Sequence, residues 1–554
     1  MAYGFAPAMI GYLRIVTSKE DRMHLPWEGA TRTAARTHAI AFCLALAAGC
    51  GGSAGDDAVA DTAVDTNIDP GTDPGPGTGI IPPYRRTAWR PGVPGGIPSV
   101  DVACPAGAPS VLEFGAAGDG STDDREAFAA AIEAAPEGGS ILIPAGTYLL
   151  LSGLTIDKGV VLCGEGPDLS RLEFETDDLG IDIVTYERGD WVAVVSGLDR
   201  WSTSIVVEDG SSFPSGTFAE LQQDNDWAVM DPAGEWRDAS WVPEAAVGQM
   251  FLVTAVDGNT LTVEPQVHLS YNPAMNPVIR PLGLVEGAGL QGLHLERVDA
   301  SDAGTIEMKN AAGCWMRDSA SEMTSQSHVS MTSAIRCEVR DSYFHDSYDH
   351  GGGGHGYGVN LGSHVTDCLV ENNVFVHLRH SMLVQVGASG NVFGYNFSTD
   401  PYQSEGGDWT PCDISLHGHY AHMNLFEANV VQEIDVSDYW GPCGPGNTFF
   451  RDRVMAEGIE IMDYAHGQNV VGNELGSDPN VVSIDGTVAD TLVHGNLEDG
   501  AVSWDPAIAD HDLPPSLYLP GRPTFFGDDT WPATGSDVAG SGDTIPAERR
   551  WLDM

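Results

Sequence analysis

Histidine is concentrated in one part of the 554-residue chain, and its imidazole is the side chain best suited to move protons near neutral pH. Nine of the 17 histidines lie between residues 345 and 422, among them His345, His350, His355, His377, His380, His417, His419 and His422. The clustering predicts a functional site here. His380, His417 and the neighbouring Arg379 are candidates for a catalytic base, or for a cation that holds a sugar acid.

Paired carboxylates are the second chemical feature of the same stretch. Short apolar–polar–apolar triplets align around one polar column, which consists of Asn360, Gln385, Ser415, Asp435 and Glu460. Adjacent parallel strands lie about 4.8 Å apart. Asp435 is therefore expected beside Glu460, and Asp413 beside Glu433. Like charges at this range raise the pKa of one partner, which suits a general acid next to a base.

These side chains fit two reactions. In a hydrolase, Asp413, Glu433 and Asp435 would serve as acid, base or nucleophile. In a lyase, His417, His380 or Arg379 would take the proton alpha to a uronate carboxyl or neutralise that carboxyl. Candidate substrate-binding residues are Asn360, Gln385, His345, His350, Tyr439 and Trp409. Alternatively, Asp435 and Glu460 bind Ca²⁺ through hard oxygen ligands, and no other cofactor is expected.

An internal repeat supplies the elements that would position these residues. Segments such as Cys337–Asp341 recur, and each ends in a polar residue of one column: Asp318, Asp341, Asn372, Asn396, Asn429, Asp452, Glu474 and Asn496. Most spacings are about 22 residues, which is the length of one β-solenoid coil. Stacked amides bond along such a ladder, and Asn tolerates left-handed turns. The two longest repeats predict loops at His345–Gly356 and Thr399–Pro411, lying side by side.

The beginning of the folded part carries a recognisable order of elements. A glycine turn at Phe114–Gly120 precedes a helix at Ala127–Ala135 and strands at Ile141–Tyr148 and Val160–Gly166. This run resembles the N-terminal segment of the pectate lyase superfamily, of the rhamnogalacturonase and epimerase-like type. The resemblance implies an all-β fold, a single-stranded right-handed parallel β-helix (a pectin-lyase-like solenoid) with an N-terminal capping helix. Lyases, hydrolases, epimerases and phage tailspikes share this segment, so it implies no single reaction.

The family's catalytic signatures do not transfer to this chain. The polygalacturonase set of Asn-Thr-Asp, Asp-Asp, Gly-His-Gly and Arg-Ile-Lys is not reproduced. No lysine follows Lys309, which removes lysine as a catalyst in the histidine-rich stretch. No catalytic residue is therefore carried over from the family.

Composition divides the chain into four parts. Residues 1–49 read as a lipoprotein signal peptide, with Met23 as an alternative start, because the short apolar run Ala39–Ala48 ends at Cys50 in a sequence that resembles a lipobox. Cys50 is the expected lipidation site. Residues 50–100 read as a disordered tether, 101–515 as the β-helix with a small inserted β subdomain at 190–275, and 516–554 as a C-terminal tail that covers the end.

The charge balance limits the partners. A net charge of −53 disfavours nucleic acid, whose binding needs basic residues, and it disfavours polyanions unless a divalent cation bridges the two. We therefore expect an exported polysaccharide-degrading enzyme, hydrolase or lyase, that is monomeric and either anchored at the cell surface through Cys50 or secreted. The alternative is a non-catalytic surface protein that binds glycan or mediates adhesion.

Overall fold

The computed structural model describes residues 79–97, 104–234, 236, 242–407, 409–436, 441–477 and 479–554. The predicted signal peptide (1–49), the lipidation site Cys50 and the candidate Tyr439 lie outside the described residues. Among the helices of the described part, none is long and apolar enough to cross a membrane.

Three ladders of parallel strands run side by side, and each coil of the chain adds one strand to each ladder. One coil, for example, contributes Glu338–Arg340 to the first ladder, Tyr343–Ser347 to the second and Tyr357–Leu361 to the third. Each of these strands pairs in parallel with a strand one coil later. The predicted all-β parallel β-helix is therefore confirmed.

The strand bounds are as follows. The first ladder comprises Ser140–Ile143, Val161–Gly164, Gly289–Gln291, Trp315–Arg317, Glu338–Arg340, Leu369–Glu371, Val392–Gly394, Leu425–Glu427, Thr448–Phe450, Asn469–Val471 and Leu492–His494. The second comprises Asp119–Asp123, Gly146–Leu150, Ser170–Phe174, His294–Arg297, Ala320–Thr324, Tyr343–Ser347, Val374–Val376 and Phe397–Thr399. The third comprises Leu154–Ile156, Ile181–Val184, Ile306–Lys309, Ser327–Thr332, Tyr357–Leu361, His380–Val384, Ile414–Leu416 and Val481–Ile484. The long strands Val430–Val436 and Arg453–Ile461 continue the second and third ladders together.

The remaining elements are short. Parallel strands Val285–Glu286 and Ala311–Ala312 pair with each other, and Asn496–Glu498 forms a hairpin with Ala501–Ser503. The α-helices are Arg125–Ala134, Trp227–Met230 and Pro546–Leu552, and the 3-10 helices are Pro83–Arg85, Val111–Phe114, Pro273–Met275 and Thr524–Phe526.

Alternation along the strands fills the interior of the coils with apolar side chains. In the third ladder, the inward residues Val359, Met382, Ile414 and Ile434 are fully buried and stack from coil to coil. In the first ladder, the rings of Phe393, Phe426 and Phe449 stack with centroids 5.2 Å apart. The coils are thus held by continuous apolar columns, in which each side chain packs between its counterparts in the adjacent coils.

A ladder of buried amides lies at one corner of the coils, between the first and second strands. The backbone N–H of Asn373 donates to Oδ1 of Asn396 at 3.0 Å, and that of Asn396 donates to Oδ1 of Asn429 at 3.1 Å. The same bond continues through Asp452, Asn473 and Asn496.

The polar column inferred from the repeat is wrong by one residue in four coils, and in two of these Ser319 and Ser342 take the place of the predicted Asp318 and Asp341. Asn373 and Asn473 belong to the amide ladder, whereas Asn372 and Glu474 are their neighbours. Asn372 occupies the preceding turn with a φ of 56°, in the left-handed region that Asn tolerates. Both adjacent positions accept Asn or Asp, so residue type alone does not distinguish them.

Residues 192–282 leave the coils and form a closed antiparallel barrel. Its strands are Val192–Ser196, Ser204–Val207, Phe218–Gln222, Gly248–Asp257, Thr260–Glu264 and Val278–Leu282. This stretch corresponds to the predicted β subdomain at 190–275 and extends slightly beyond it. The barrel docks on the turns after the third ladder, where Glu220 lies 2.7 Å from Nδ1 of His364. The backbone N–H of Met250 also donates to the Thr366 hydroxyl at 3.0 Å, so the barrel packs on the turns between the third and first ladders.

The helix Arg125–Ala134 covers the first coil. It buries Phe128, Ala131 and Ile132 against the core, and the Phe128 ring packs edge-on against Tyr148. A disulfide between Cys104 and Cys163 ties the segment before this helix to the first ladder.

Residues 79–97, which we call the strap, were assigned by composition to the disordered tether and are ordered instead. Ile80 and Ile81 are fully buried on the outer face of the first ladder, and Trp89 Nε1 donates to the carbonyl of Met423 at 2.7 Å. Arg85 donates to Oδ1 of Asn469 at 2.7 Å. These apolar side chains bury enough area to order a segment whose average composition suggests disorder.

The C-terminal segment 516–554 runs along the side of the coils. Tyr518 donates its hydroxyl to Glu371 at 2.6 Å, and the backbone N–H of Leu517 donates to Glu427 at 2.8 Å. Further along, Arg451 pairs with Asp537 at 2.6 Å. The tail therefore shields outward-facing side chains of the first and second ladders.

Candidate active site

The third ladder presents one column of outward side chains, which we call the site column. The strand register places Ser330, Asn360, Leu383, Ser415, Asp435 and Glu460 side by side in consecutive coils. Two acids, Asp182 and Glu307, precede Ser330 in the same column. The predicted pairing of Asp435 with Glu460 is confirmed.

The predicted alignment is wrong in one coil, because Leu383 and not Gln385 lies beside Asn360. The sequence Val384-Gln385-Val386 has the apolar–polar–apolar pattern of a strand. Val386, however, lies in a turn with a φ of 49° and packs against the barrel. Gln385 still reaches the column, since its Nε2 donates to Oδ1 of Asn360 at 3.1 Å.

Two loops, residues 348–356 and 400–411, lie where the chain enters third-ladder strands. The backbone N–H of Gly352 donates to Glu405 at 3.0 Å, and that of Ser404 donates to the carbonyl of His350 at 3.3 Å. The prediction that the two long coils place their loops side by side is confirmed.

Arg379 lies between the two loops, and its charge is already balanced. Its Nη1 lies 2.8 Å from Oε2 of Glu405 and donates to the carbonyl of His350 at 3.1 Å. The guanidinium also lies over the ring of Trp409, 5.3 Å from the centroid. Arg379 therefore holds the loops together instead of presenting an uncompensated cation.

Aromatic side chains line the outer surface of these loops. The Tyr402 ring stacks on His377 at 4.6 Å and meets His350 edge-on at 5.0 Å. Tyr402 and Trp409 are 43% and 38% exposed. Each offers a flat apolar ring with a polar edge, the shape that suits contact with a sugar.

His380 and His417 come together over the site column. Their ring centroids are 5.9 Å apart, and the Tyr357 ring lies 5.2 Å from His380 and 6.4 Å from His417. Leu383 and Ser415, the column residues of the same two coils, are fully buried. The two candidate bases therefore share one site, with the Tyr357 hydroxyl as a third proton-carrying group.

Asp413 has no exposed surface. It accepts hydrogen bonds from the Ser398 hydroxyl and from the backbone N–H groups of Gln432, at 2.6 Å, and Glu433, at 3.2 Å. Burial raises the pKa of Asp413 to about 6. Its oxygens hold the backbone on which Glu433 stands, so its geometry is that of a positioning residue.

Glu433 lies among other carboxylates. Burial, together with the charges of Asp435 and Glu457, raises the pKa of Glu433 to about 9. Asp413 and Glu460 contribute in the same direction. Glu433 therefore carries a proton at neutral pH, on the same strand as Asp435 and one coil from Glu460.

The carboxylates of the site column do not fit a calcium cage. Ca²⁺ takes six to eight oxygen ligands. Within the described part of the chain, three His, Cys, Asp or Glu side chains have ligand atoms within 4.8 Å of one another only at His294, Glu296 and Glu322, on the second ladder. Asp435 and Glu460 are not part of such a group, so no step below uses a metal.

His345 lies on the second ladder, beside Glu322, and not at the site column. Its ring stacks on Tyr343 at 4.4 Å, and its Nδ1 lies 2.8 Å from Asp346. The structure therefore separates His345 from the other candidate binding residues.

A family model described as rhamnogalacturonase A/epimerase, pectate lyase-like, matches residues 108–210. Over these residues the chain resembles the pectate lyase-like superfamily. No curated protein matches this chain by sequence.

Three solved structures are similar to this chain. The tailspike of Pseudomonas phage phi297 is 13% identical with a TM-score of 0.51, and the match covers 71% of this chain and 75% of the tailspike. The tailspike of Pseudomonas phage LKA1 is 15% identical, with a TM-score of 0.46 and coverages of 67% and 64%. The tailspike of Acinetobacter baumannii bacteriophage AP22, solved with a capsular saccharide, is 10% identical, with a TM-score of 0.46 and coverages of 70% and 69%. The likeness to the phi297 tailspike, with its TM-score of 0.51, shows that the two proteins share a fold.

Sequence reasoning missed three residues at the site. Tyr357 directly follows the glycine-rich loop and begins a third-ladder strand, so its position in the repeat could have identified it. Glu457 lies shortly before the column residue Glu460 on the same strand, next to an irregularity in the strand pairing. The sequence does not predict this irregularity. Tyr402 lies in the predicted loop, but no sequence pattern predicts its stacking on His377.

Proposed function

We propose that this protein is a polysaccharide-degrading enzyme that cleaves a glycan lying across the site column. The proposal rests on three neighbouring acidic side chains, those of Glu433, Asp435 and Glu460. The same face also holds the neighbouring rings of His380 and His417. The match of residues 108–210 to a model named for a rhamnogalacturonase and an epimerase supports a glycan as the substrate.

Hydrolysis fits the site better than elimination. A glycosidase needs one carboxylic acid that protonates the leaving oxygen and one carboxylate that activates water or attacks the sugar. Glu433, whose raised pKa keeps it protonated, suits the acid, and Asp435 suits the carboxylate. A lyase would need a base and a cation for the uronate, and Arg379 is already paired with Glu405.

The remaining candidates would bind and orient the sugar. His380, His417 and Tyr357 would donate to or accept from hydroxyl groups beside the scissile bond. Trp409 provides a flat surface at the edge of the loops, and His350 packs edge-on against the exposed Tyr402 ring. Asn360 and Gln385, bonded to each other, would offer amide groups to a neighbouring sugar unit. Tyr439 would add a further ring.

A glycan-binding protein without catalytic activity is the second candidate. The exposed rings of Tyr348, Tyr402 and Trp409 favour it, because a binding surface needs exposed aromatic faces but no acid with a raised pKa. Both candidates place the glycan on the same face.

We also propose that the mature chain is exported and is anchored through Cys50 or secreted as a monomer. The disulfide between Cys104 and Cys163 supports an oxidising compartment.

The test combines product analysis with two variants. Residues 51–554 are incubated with a panel of polysaccharides while new reducing ends and the ultraviolet absorbance of unsaturated products are followed together. We expect reducing ends without unsaturation. Glu433→Gln and Asp435→Asn should each lower kcat about 10²–10⁴-fold, because they remove the acid and the base.

Glu307→Gln is the matched control, since Glu307 lies in the same column several coils earlier, and its kcat should be unchanged. The activity of the wild type should fall as pH rises past about 9, where Glu433 loses its proton. Unsaturated products would identify a lyase. Binding without cleavage across the panel would contradict the enzyme and favour the glycan-binding protein.

A further inference from the structure

The inserted barrel at 192–282 has an apolar core of its own, and a row of side chains crosses its outer surface. The strand register places Met250, Glu220 and Arg280 side by side on three consecutive strands. Trp191 continues the row, directly before the strand that pairs on the other side of Arg280. Met250 and Glu220 are buried, Arg280 is partly buried, and Trp191 is 37% exposed. The row therefore leads from the barrel–coil contact to an indole in solvent.

The indole of Trp191 lies on a fixed support. The guanidinium of Arg280 lies over its ring, 4.2 Å from the centroid. Nε and Nη2 of Arg280 donate to Oε2 of Glu220, at 2.9 and 2.6 Å. Oε1 of Glu220 lies 2.7 Å from Nδ1 of His364 and accepts from the Ser333 hydroxyl at 3.3 Å. Since the guanidinium covers one face, the exposed surface of the indole belongs to its other face and its edges.

The same row is tied to the coils next to the site column. Ser333, which donates to Glu220, follows the column residue Ser330 at the end of its strand. Ser330 lies four strand spacings before Asp435 in the column, about 19 Å along the axis. A glycan of several sugar units that contacts Asp435 can therefore extend to the coil on which the barrel is docked.

An exposed indole with a fixed direction suits a sugar ring. The C–H groups of a pyranose face pack on a flat aromatic surface, while its hydroxyl groups stay in water. A ring that is already held by Arg280 loses little conformational freedom when the sugar binds. We propose that Trp191 forms a second sugar-binding site, on the barrel, for a pyranose unit of the glycan that does not react. This inference rests on the proposed glycan substrate but not on its cleavage.

The test measures affinity for polymers in native gels that contain β-1,3-glucan, starch, xylan, galactomannan or polygalacturonate. Residues 51–554 carry Glu433→Gln, so that the polymer is not consumed. Adding Trp191→Ala should lower the affinity for the polymer that binds about fivefold or more, and Trp191→Phe should keep most of it. Val195→Ala is the control, because Val195 is an exposed apolar residue on the strand that follows Trp191. Its affinity should equal that of the parent.

Kinetics separate the barrel site from the site column. In the chain with Glu433 intact, Trp191→Ala should raise KM for the polymer about fivefold and leave kcat within about twofold. For disaccharide fragments, which cannot reach from Asp435 to the barrel, KM should not change.

Equal affinity of the parent and Trp191→Ala for every polymer bound would overturn the barrel site and leave the enzyme proposal intact. A failure to bind any polymer of the panel, or an equal loss in Val195→Ala, would overturn it as well. A loss of affinity in Trp191→Ala alone, without cleavage of any polymer by the wild type, would support the barrel site and contradict the enzyme.

Discussion

Asp452 occupies a place in the amide ladder that asparagine fills in the coils on either side. Its Oδ1 accepts from the backbone and side-chain nitrogens of Asn429, at 2.8 and 2.9 Å. Its Oδ2 is buried without a hydrogen-bond donor. The amide of Asn429, by contrast, also donates to the carbonyl of Phe393 at 3.0 Å. Burial raises the pKa of Asp452 to about 8, so this carboxyl is the weak point of the ladder.

Asp452→Asn should raise the free energy of unfolding by roughly 1–3 kcal/mol. The substitution replaces the unpaired Oδ2 by an amide nitrogen, which can donate to a backbone carbonyl as the amide of Asn429 does. The folded pKa of about 8 lies above the ordinary aspartate value of 3.8, so the wild type loses stability as pH rises from the lower value to the higher. The variant should lack that loss. Unfolding temperatures at pH values of about 5 and about 9 measure both effects. The exposed Asp528→Asn should behave as the wild type, and an equal pH dependence in Asp452→Asn would refute the explanation.

At the residue scale, sequence reasoning found most of the site but not the direction of each side chain. Asp413 and Glu433 were predicted as one carboxylate pair, and they are adjacent. Asp413 nevertheless turns inward at the corner between two strands, where it meets Ser398. Strict alternation holds only within a strand, so the sequence pattern cannot tell inside from outside at a corner.

The apolar columns determine the stability of the coils at the scale of the elements. Phe426 lies between Phe393 and Phe449, nearly parallel to both. Its side chain is fully buried. Each ring therefore packs against the same ring one coil away, and the loss of one leaves a cavity that both neighbours border.

Phe426→Ala should lower the free energy of unfolding by about 3–5 kcal/mol, from lost burial and the cavity together. Urea unfolding followed by intrinsic fluorescence measures the loss. Phe426→Leu keeps most of the apolar volume and should lose less than half as much. Equal losses for the two variants would show that aromatic stacking, and not volume, stabilises the column.

Strand period and loop length could be read from the repeat because each coil must return to the same ladder. The register within a coil could not be read in the same way. The chain turns at Val386, just after the strand His380–Val384. The Val386 side chain packs on the barrel core instead of inside the coil. A β-branched residue in a left-handed turn is rare, and only tertiary contact with the barrel explains it.

At the scale of the whole molecule, the strap connects distant parts of the chain. Arg85 contacts Asn469, Gln468 and Asp490, which are about 400 positions later. Arg200 of the barrel contacts the carbonyls of Tyr84 and Arg86. The strap thereby joins the barrel, the first ladder and the last coils. The composition of residues 50–100 did not predict this role, because it depends on only three buried apolar side chains, Ile80, Ile81 and Trp89, among many polar ones.

Trp89→Ala should release the strap without unfolding the coils. The indole is 4% exposed and bonded to Met423, so its loss removes an anchor that contributes about 3–5 kcal/mol. Limited proteolysis should then cut within residues 79–97, while the circular dichroism of the β-helix stays unchanged. Tyr84→Ala, at a 40% exposed position, should leave the strap protected. Resistance of Trp89→Ala to proteolysis would show that Arg85 alone holds it.

The strap also imposes an order of events on synthesis. Coils can assemble one after another from the N-terminus as the chain emerges, because each needs only the coil before it. The strap emerges before all of them, yet its partners Asn469 and Asp490 emerge almost last. Until the strap docks, the apolar side chains of Leu369, Val392 and Leu425 on the outer face of the first ladder lack the cover that it provides. The earliest part of the folded chain is therefore among the last to dock, and a product truncated before residue 469 would expose this apolar face.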